Sequence, residues 1–290
     1  MDVWTTVAEL QSNRSDIDTD RRVLVPTMGA LHAGHGSLIR VGVEHAERLG
    51  GVCVVSVFVN PTQFDDASDF DRYPRELDAD LELCAEAGAA SVFAPGVGVM
   101  YPPGVEIPRP EPPPEGVDRG LEDAHRPGHF EGVCQVVRRL FDLVTPIAAV
   151  FGEKDWQQLR VLASMATRDG LGVDVVGAPT VREDDGLAMS SRNRFLDREQ
   201  RARAAMLPLA LEQAGSARHP GIAEEVMREF FRRSDLEVDY AAVRDAATLG
   251  TYEPGRPGRA LAAVRLGSVR LLDNAPWPIE SGAGGPHSLH

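Results

Sequence analysis

Val23-Leu24-Val25-Pro26-Thr27-Met28-Gly29-Ala30-Leu31-His32-Ala33-Gly34-His35 is the stretch whose reading decides the fold. An apolar run ends in a glycine-bearing turn, and a helical pattern then runs from about His35 to Leu49. Strand, turn and helix open a βαβ unit, and such a turn lies at the carboxyl edge of a parallel sheet, where α/β proteins bind ligands. Gly29 and Gly34 let backbone amides approach a ligand closely, and the helix N-terminus adds partial positive charge. His32 and His35 can both face that ligand and donate to phosphate oxygens whose charge rises during in-line displacement. Metal binding is the weaker reading, since two histidines have no third ligand nearby. The plain structural alternative has one histidine capping the helix and the other merely exposed.

Outward from this stretch, strand-like and helical patterns alternate. Val52 to Val59 is a run rich in β-branched valine, as expected of a strand buried on both faces. Pro74 to Ala87 reads as a helix, Ala90 to Ala94 as a strand, Phe130 to Val144 as an amphipathic helix and Ile147 to Phe151 as a strand. A helix from Asp155 to Thr167 and a strand from Val173 to Val176 complete the series. The prediction is an α/β, Rossmann-like, doubly wound parallel sheet over residues 1–183. The rhythm then changes to helices at Asp197 to Ala214 and Ile222 to Arg233 and strands at Glu237 to Val243 and Ala260 to Leu266. That predicts a smaller C-terminal α+β domain over 184–279 forming a lid over the site, with 280–290 as a disordered tail. The proline-rich Tyr101 to Gly116 predicts an extended surface excursion.

Composition narrows the function classes. A formal net charge of −14 opposes a nucleic-acid or anionic-membrane surface. No apolar run is long enough to span a bilayer, and the acidic start Met1-Asp2-Val3-Trp4 does not read as a signal peptide. Cys53, Cys84 and Cys134 lie in apolar segments without metal spacing, so they read as reduced core residues of a cytoplasmic protein. Of 30 basic residues, Lys154 is the single lysine. It follows the apolar run ending at Phe151, at a strand-to-helix turn suited to a phosphate, and a compact ammonium differs there from a planar guanidinium.

Three further segments carry chemistry. Phe58-Val59-Asn60-Pro61-Thr62-Gln63-Phe64 ends a strand, and Asn60 and Gln63 offer neutral groups for hydroxyls or a carboxylate, unless they only stabilise their own turn. The acidic stretch Asp65 to Arg75 that follows suits a mobile flap. In Gly152-Glu153-Lys154-Asp155-Trp156-Gln157-Gln158, Asp155 and Gln158 share one face of the first helical turn. Val181 to Asn193 carries Ser190, Ser191 and Arg192 after a small, flexible stretch, which suits a phosphate-holding loop at a domain hinge.

Together these segments resemble the pantothenate synthetases (pantoate–β-alanine ligases) of the nucleotidylyltransferase superfamily. The resemblance runs from Pro26 to about Asn274 and rests on PTMGALHAGH, FVNPTQF, RPGHFEGV, FGEKDWQQL and REDDGLAMSSRNRFL. It implies an ATP-dependent ligase that makes pantoyl adenylate from pantoate, releases pyrophosphate, then transfers the pantoyl group to β-alanine and releases AMP. It further implies His35, His32, Lys154 and Arg192 as catalytic. ATP would be held by Met28, Gly29, Ala30, Leu31, His32, Ala33, Gly34, His35, Gly152, Glu153, Lys154, Asp155, Val181, Met189, Ser190, Ser191 and Arg192. Gln63 and Gln158 would hold pantoate, with Gln63 also near β-alanine. Magnesium would accompany ATP, with Asp80 of Ala79-Asp80 as the candidate protein contact, and no organic cofactor would be tightly bound. Family members are typically homodimers. Another H-x-G-H transferase that adenylates a different small carboxylate is the alternative, and it should lack the paired glutamines. Gly36 stands where a larger apolar residue is common, which loosens the start of its helix.

Overall fold

The computed structural model describes residues 1–12, 21–64 and 67–279. The expected tail from Glu280 and the first residues of the expected flap lie outside these. Among the described residues the first sheet has six parallel strands: β1 (Asp2–Trp4), β2 (Arg22–Thr27), β3 (Val52–Val57), β4 (Ser91–Phe93), β5 (Ala148–Gly152) and β6 (Asp174–Ala178). Their order is β1-β4-β3-β2-β5-β6. From β2 the chain moves outward through β3 to β4, then returns to place β5 on the other side of β2. The β2–β5 boundary is therefore the switch point, where a crevice opens beyond the strand ends.

Helices α1 (Val7–Ser12), α2 (Ala33–Arg48), α3 (Ala67–Arg72), α4 (Leu77–Glu86), α5 (Val97–Met100), α6 (Glu122–His125), α7 (His129–Val144) and α8 (Trp156–Arg168) accompany these strands. Period-two alternation sorts the side chains between two faces. Val23 and Val25 of β2, Cys53 and Val55 of β3 and Ala148 and Val150 of β5 share a core with Ile39 of α2 and Cys84 of α4. Leu24, Val54, Ala149 and Phe151 face the opposite way, into a core with Leu140 and Phe141 of α7 and Leu162 of α8. Helices on both faces oblige the strands to be apolar on both sides, which is why they read as continuous hydrophobic runs. Burial pushes the thiols of Cys53, Cys84 and Cys134 up to about 12, so all three remain protonated core residues.

One local feature opens the crevice. The ladder between β2 and β5 contains only Val23↔Ala148 and Leu24↔Ala149, whereas β2 pairs with β3 along its whole length. Pro26, which has no N–H to donate, thus lies where β2 and β5 have already parted.

The second unit has helices α9 (Arg198–Ala204), α10 (Met206–Gly215) and α11 (Pro220–Arg233), and an antiparallel sheet of β7 (Glu237–Asp245), β8 (Gly258–Leu266) and β9 (Val269–Trp277) in that order. Its core joins Leu207 and Leu211 of α10, Met227 and Phe231 of α11 and Val243, Val264 and Leu271 of the sheet. The single helix expected from Asp197 to Ala214 is two. Asp197 caps α9 through the Gln200 amide, and the chain restarts at Met206, because Pro208 has no N–H for the carbonyl of Ala204.

The chain clusters into two compact units, the first running without a break to Glu183. Asp184–Leu187 clusters with the second unit, but Ala188–Arg194 returns to the first before the chain leaves again at Phe195. The proline-rich excursion is also anchored at its end. Its 3₁₀ turn Pro114–Gly116 buries Gly116, and the Glu115 carbonyl accepts from Gln157 Nε2 at 2.9 Å.

Candidate active site

The turn after β2 is built by its own hydrogen bonds. Thr27 Oγ1 donates to the Ser56 carbonyl at 2.7 Å and accepts from the Gly29 amide at 3.3 Å. Gly29 and Ala30 are both left-handed, with φ of +79° and +50°. The next two amides meet a carboxylate from α4: Ala30 N–H donates to Asp80 Oδ2 at 3.1 Å and Leu31 N–H to Asp80 Oδ1 at 2.7 Å. His32 N–H donates to His35 Nδ1 at 3.3 Å, and Gly34 N–H to His32 Nδ1 at 3.2 Å. The amides expected to approach a ligand at Gly29 and Gly34 are therefore already engaged within the turn. Asp80, the candidate magnesium contact, is 2% exposed and holds a backbone amide on each oxygen. Among the described residues no group of three or more His, Cys, Asp or Glu could hold a metal ion.

The histidines are engaged differently. His32 is the N-cap of α2 and His35 completes a reciprocal capping box, so the helix begins at Ala33 rather than His35. Both take part in the cap, where the plain alternative gave that role to one. An imidazole nitrogen that accepts from an N–H carries no proton, so both neutral rings are protonated at Nε2, the nitrogen outside the cap. The ring centroids lie 4.1 Å apart. Burial, then the positive charge of Lys154, pushes His32 down to about 4. Burial, His32 and Lys154 push His35 down to about 3. At neutral pH the pair is two uncharged N–H donors beside an ammonium. Gly34 permits this: a Cβ there would lie 2.9 Å from His32 Cε1 and 3.3 Å from Met189 Cβ. The second distance also shows that the loop of Ser190 and Ser191 lies against the start of α2.

Lys154 sits in the 3₁₀ turn Glu153–Asp155 after β5, directly across the switch point, with Nζ 3.6 Å from Asp155 Oδ1. Its side chain is 21% exposed. The following glutamines differ sharply. Gln157 is buried, accepting from the Glu122 amide at 2.9 Å and donating to the Glu115 carbonyl and Asp123 Oδ1, each at 2.9 Å. Gln158 is half-buried at the start of α8.

Beyond β6, Arg182 bridges Ala188 and the Met189 amide donates to the Val181 carbonyl at 2.9 Å. Asn193 Nδ2 ties the loop off on Glu183 Oε1 at 2.7 Å and the Ala188 carbonyl at 3.1 Å. The Arg192 amide donates to Ser190 Oγ at 3.3 Å, and Ser190, Ser191 and Arg192 are half-buried. Arg194 reaches Glu76 at 3.5 Å, just before α4.

On the other side of β2, Gln63 Nε2 points at Met28 Sδ, 3.0 Å away, which brings the β3 and β2 turns together. Its Oε1 accepts from Asn60 Nδ2 at 3.0 Å. Asn60 is 1% exposed; its Nδ2 also donates to the Gly132 carbonyl, and its Oδ1 accepts from Thr62 and from the Tyr101 hydroxyl at 2.8 Å. Asn60 is thus the turn's buried hub, while Gln63 is half-buried between Asn60 and Met28. The Gln63 carbonyl accepts from His129 Nδ1 at 3.1 Å and Arg126 Nη2 at 3.4 Å. The sequence reading assigned no role to Asp80 as a cap, to Gln157, or to Arg126 and His129. The string RPGHFEGV held the last two without a local pattern to give their purpose.

All four sequence-selected segments therefore follow carboxyl ends of one sheet, after β2, β3, β5 and β6, around the switch point. A family model described as pantoate-beta-alanine ligase matches residues 2–276. The chain is 48% identical over 272 residues to a pantothenate synthetase of a Nocardioides species, covering 91% of this chain and 80% of that protein. It is 45% identical over 285 residues to one from Mesorhizobium japonicum, covering 96% and 98%. The crystal structure of pantothenate synthetase from Thermus thermophilus is similar with a TM-score of 0.84 at 42% identity, covering 95% of this chain and 99% of that one. A pantoate-beta-alanine ligase from Francisella tularensis, complexed with beta-gamma ATP and beta-alanine, is similar with a TM-score of 0.77 at 30% identity, covering 95% and 97%.

Proposed function

This chain belongs to the pantoate–β-alanine ligase family, and we propose that it forms pantothenate in two steps through pantoyl adenylate. The overall reaction joins pantoate to β-alanine at the expense of ATP. In the first step a carboxylate oxygen of pantoate bonds to the α-phosphorus of ATP. The bond to the bridging oxygen breaks, and pyrophosphate leaves with its electron pair. In the second, the amine of β-alanine attacks the acyl carbon, a proton is lost from nitrogen and AMP departs.

The observation that carries this reading is the pairing of two neutral Nε2–H donors with one ammonium across the β2–β5 crevice. A carboxylate nucleophile is already ionised at neutral pH, so the first step needs alignment and charge stabilisation more than a base. His35 and His32 donate to the α-phosphate oxygens, Lys154 balances the charge gathering on the phosphates, and Ser190, Ser191 and Arg192 hold the departing pyrophosphate. Met28 to His35 and Gly152 to Asp155 line the ATP site, with Val181 and Met189 toward adenine. Gln63 and Gln158 flank β2 on opposite sides and hold pantoate, with Gln63 also beside incoming β-alanine.

Magnesium enters as part of the substrate, MgATP. The described residues offer it no carboxylate cage, and Asp80 is engaged by the turn. No helix among the described residues is long and apolar enough to cross a membrane. A cytoplasmic homodimer is the assembly we propose, as the resemblance implies.

The test is pyrophosphate release from MgATP with pantoate present or absent, and with β-alanine added or omitted. Release that needs pantoate, with multiple turnovers to AMP only when β-alanine is present, is the expected result. Folded protein that releases no pyrophosphate with pantoate would leave a nucleotidyl-transfer site with a different acceptor.

A further inference from the structure

The Asp80 carboxylate spans the turn of the ATP site from behind. It is almost wholly buried, comes from α4, and meets a turn fifty residues earlier in the chain. Its oxygens take consecutive amides, Ala30 and Leu31, in a two-pronged grip. The backbone bends to make this possible. Gly29 and Ala30 are both left-handed, and for Ala30 that conformation carries a Cβ penalty which only surrounding contacts can offset. A Cβ on Gly29 would stand 2.8 Å from Asp80 Oδ2, so the carboxylate fills the space that a side chain would need. Gripped in this way, the Ala30 and Leu31 amides face α4, and the next residues, His32 to His35, form the capping box that leaves both Nε2–H groups free of the cap. The charges facing Asp80 are Glu76, at the cap just before its helix, and Arg194 from the loop after β6, which pair with each other at 3.5 Å.

We propose that Asp80 is a positioning residue for ATP: its carboxylate fixes the left-handed turn at Gly29-Ala30 and thereby sets the direction in which His32 and His35 meet the phosphates. This deepens the proposed function and rests on the ATP site being the β2 turn. Asp80 does not touch substrate and does not ligate magnesium. Asparagine has nearly the same shape but presents an N–H₂ to one of the two amides, a donor against a donor. Asp80→Asn therefore unmakes half of the grip with little change in volume.

The experiment is calorimetric binding of β,γ-methylene ATP to the wild-type protein, Asp80→Asn and Asp80→Glu, each with magnesium and with EDTA, beside pantoate binding without nucleotide. Asp80→Asn should weaken analogue binding at least tenfold, by the same factor in magnesium and in EDTA, and leave pantoate affinity within twofold. Asp80→Glu, which keeps two acceptor oxygens, should recover part of the loss. A loss seen only with magnesium would make Asp80 a metal contact and overturn the proposal. Equal loss of pantoate and analogue binding would make its role general to the fold and overturn it too. Analogue binding reports the turn even if pantoate is not the acceptor, so failure of the functional reading is separable. Should Asp80→Asn not fold, hydrogen exchange of the wild-type protein decides: the Ala30 and Leu31 amides must be protected before any ligand is added, and exchange at solvent rates overturns the grip.

Discussion

His32 and His35 hold each other's orientation: the His32 amide donates to Nδ1 of His35 at 3.3 Å, and the two rings stand 4.1 Å apart. Nδ1 of His32 accepts in turn from the Gly34 amide. The groups proposed to meet the phosphates and the helix cap are thus the same side chains. This double duty explains how flexible side chains at a helix start can be aimed before the substrate arrives, with little reorganisation left for the reaction.

The two duties separate in His35→Asn. Asparagine is a good acceptor for a nearby backbone amide but places no N–H where imidazole Nε2 lies. We expect pyrophosphate formation to fall by about 10²–10³-fold in kcat, the scale for loss of one transition-state donor, with the melting temperature nearly unchanged. A variant that keeps more than a tenth of the wild-type rate, measured at saturating ATP and pantoate, would reduce His35 to its capping role.

Acid should destabilise this protein through its histidines before its carboxylates. His32 and His129 are pushed down to about 4 and His35 to about 3, each chiefly by burial, while the unfolded chain titrates near 6.5. Between about pH 6.5 and 4 the unfolded chain binds protons that the folded chain refuses, so stability falls as pH falls through that window. Carboxyls held low in the fold, such as those of Asp123 and Asp185, add their losses only further down. Urea melts from pH 7.5 to 4.5 should show the decline. The double variant His32→Asn, His35→Asn should flatten it, and an unchanged slope would remove these two rings as its source.

Lys154→Arg should fold normally and lose at least tenfold in kcat/KM for adenylation. The ammonium sits in a tight 3₁₀ turn with Asp155 at 3.6 Å and only 21% of its side chain exposed, whereas guanidinium is broad, planar and directional. Steady-state kinetics at fixed pantoate decide this. Turnover near wild-type would show that a positive charge of either shape suffices.

What could be read from the sequence follows the range of the interactions. The central strands were legible because a doubly wound sheet buries both faces, and Val52 to Val57 shows that in a run apolar at every position but Ser56. The four site segments were legible because each is a local turn at a strand end. Strand β9 was not, since Asn274 and Pro276 interrupt its pattern; Pro276 is tolerated because β9 lies at the edge of its sheet. Nor was the break at Ala205 foreseen, although Pro208 stood in plain view. The contact of Asp80 with the Ala30 and Leu31 amides was not legible either, because nothing local says that they turn toward it. Its partner is fixed by packing α4 beside the end of β2, and no short window carries that information.

The adjacent glutamines make the sharpest separation between packing and binding. Gln157 is 3% exposed and satisfies three partners across two chain segments: the Glu122 amide, the Glu115 carbonyl and Asp123 Oδ1. Asp123 itself accepts from the amides of Arg119, Gly120 and Leu121, so Gln157 anchors the whole connection from the proline-rich excursion to α6. Gln157→Ala strands a buried donor and a buried acceptor at about 1–3 kcal/mol each. In a chain of this size that should lower the melting temperature by roughly 5–10 °C. The KM for pantoate in the protein that remains folded should stay close to wild-type. Gln158 lies one residue on, half-buried at the start of α8, and its replacement by alanine should do the reverse: an unaltered melt and a KM for pantoate raised about tenfold, the equivalent of one hydrogen bond to a charged group. Thermal melts and pantoate titrations of the two variants together test the assignment. If Gln157→Ala raised the KM while the melt held, the binding glutamine would be the first of the pair, and the buried network would have to open when substrate enters.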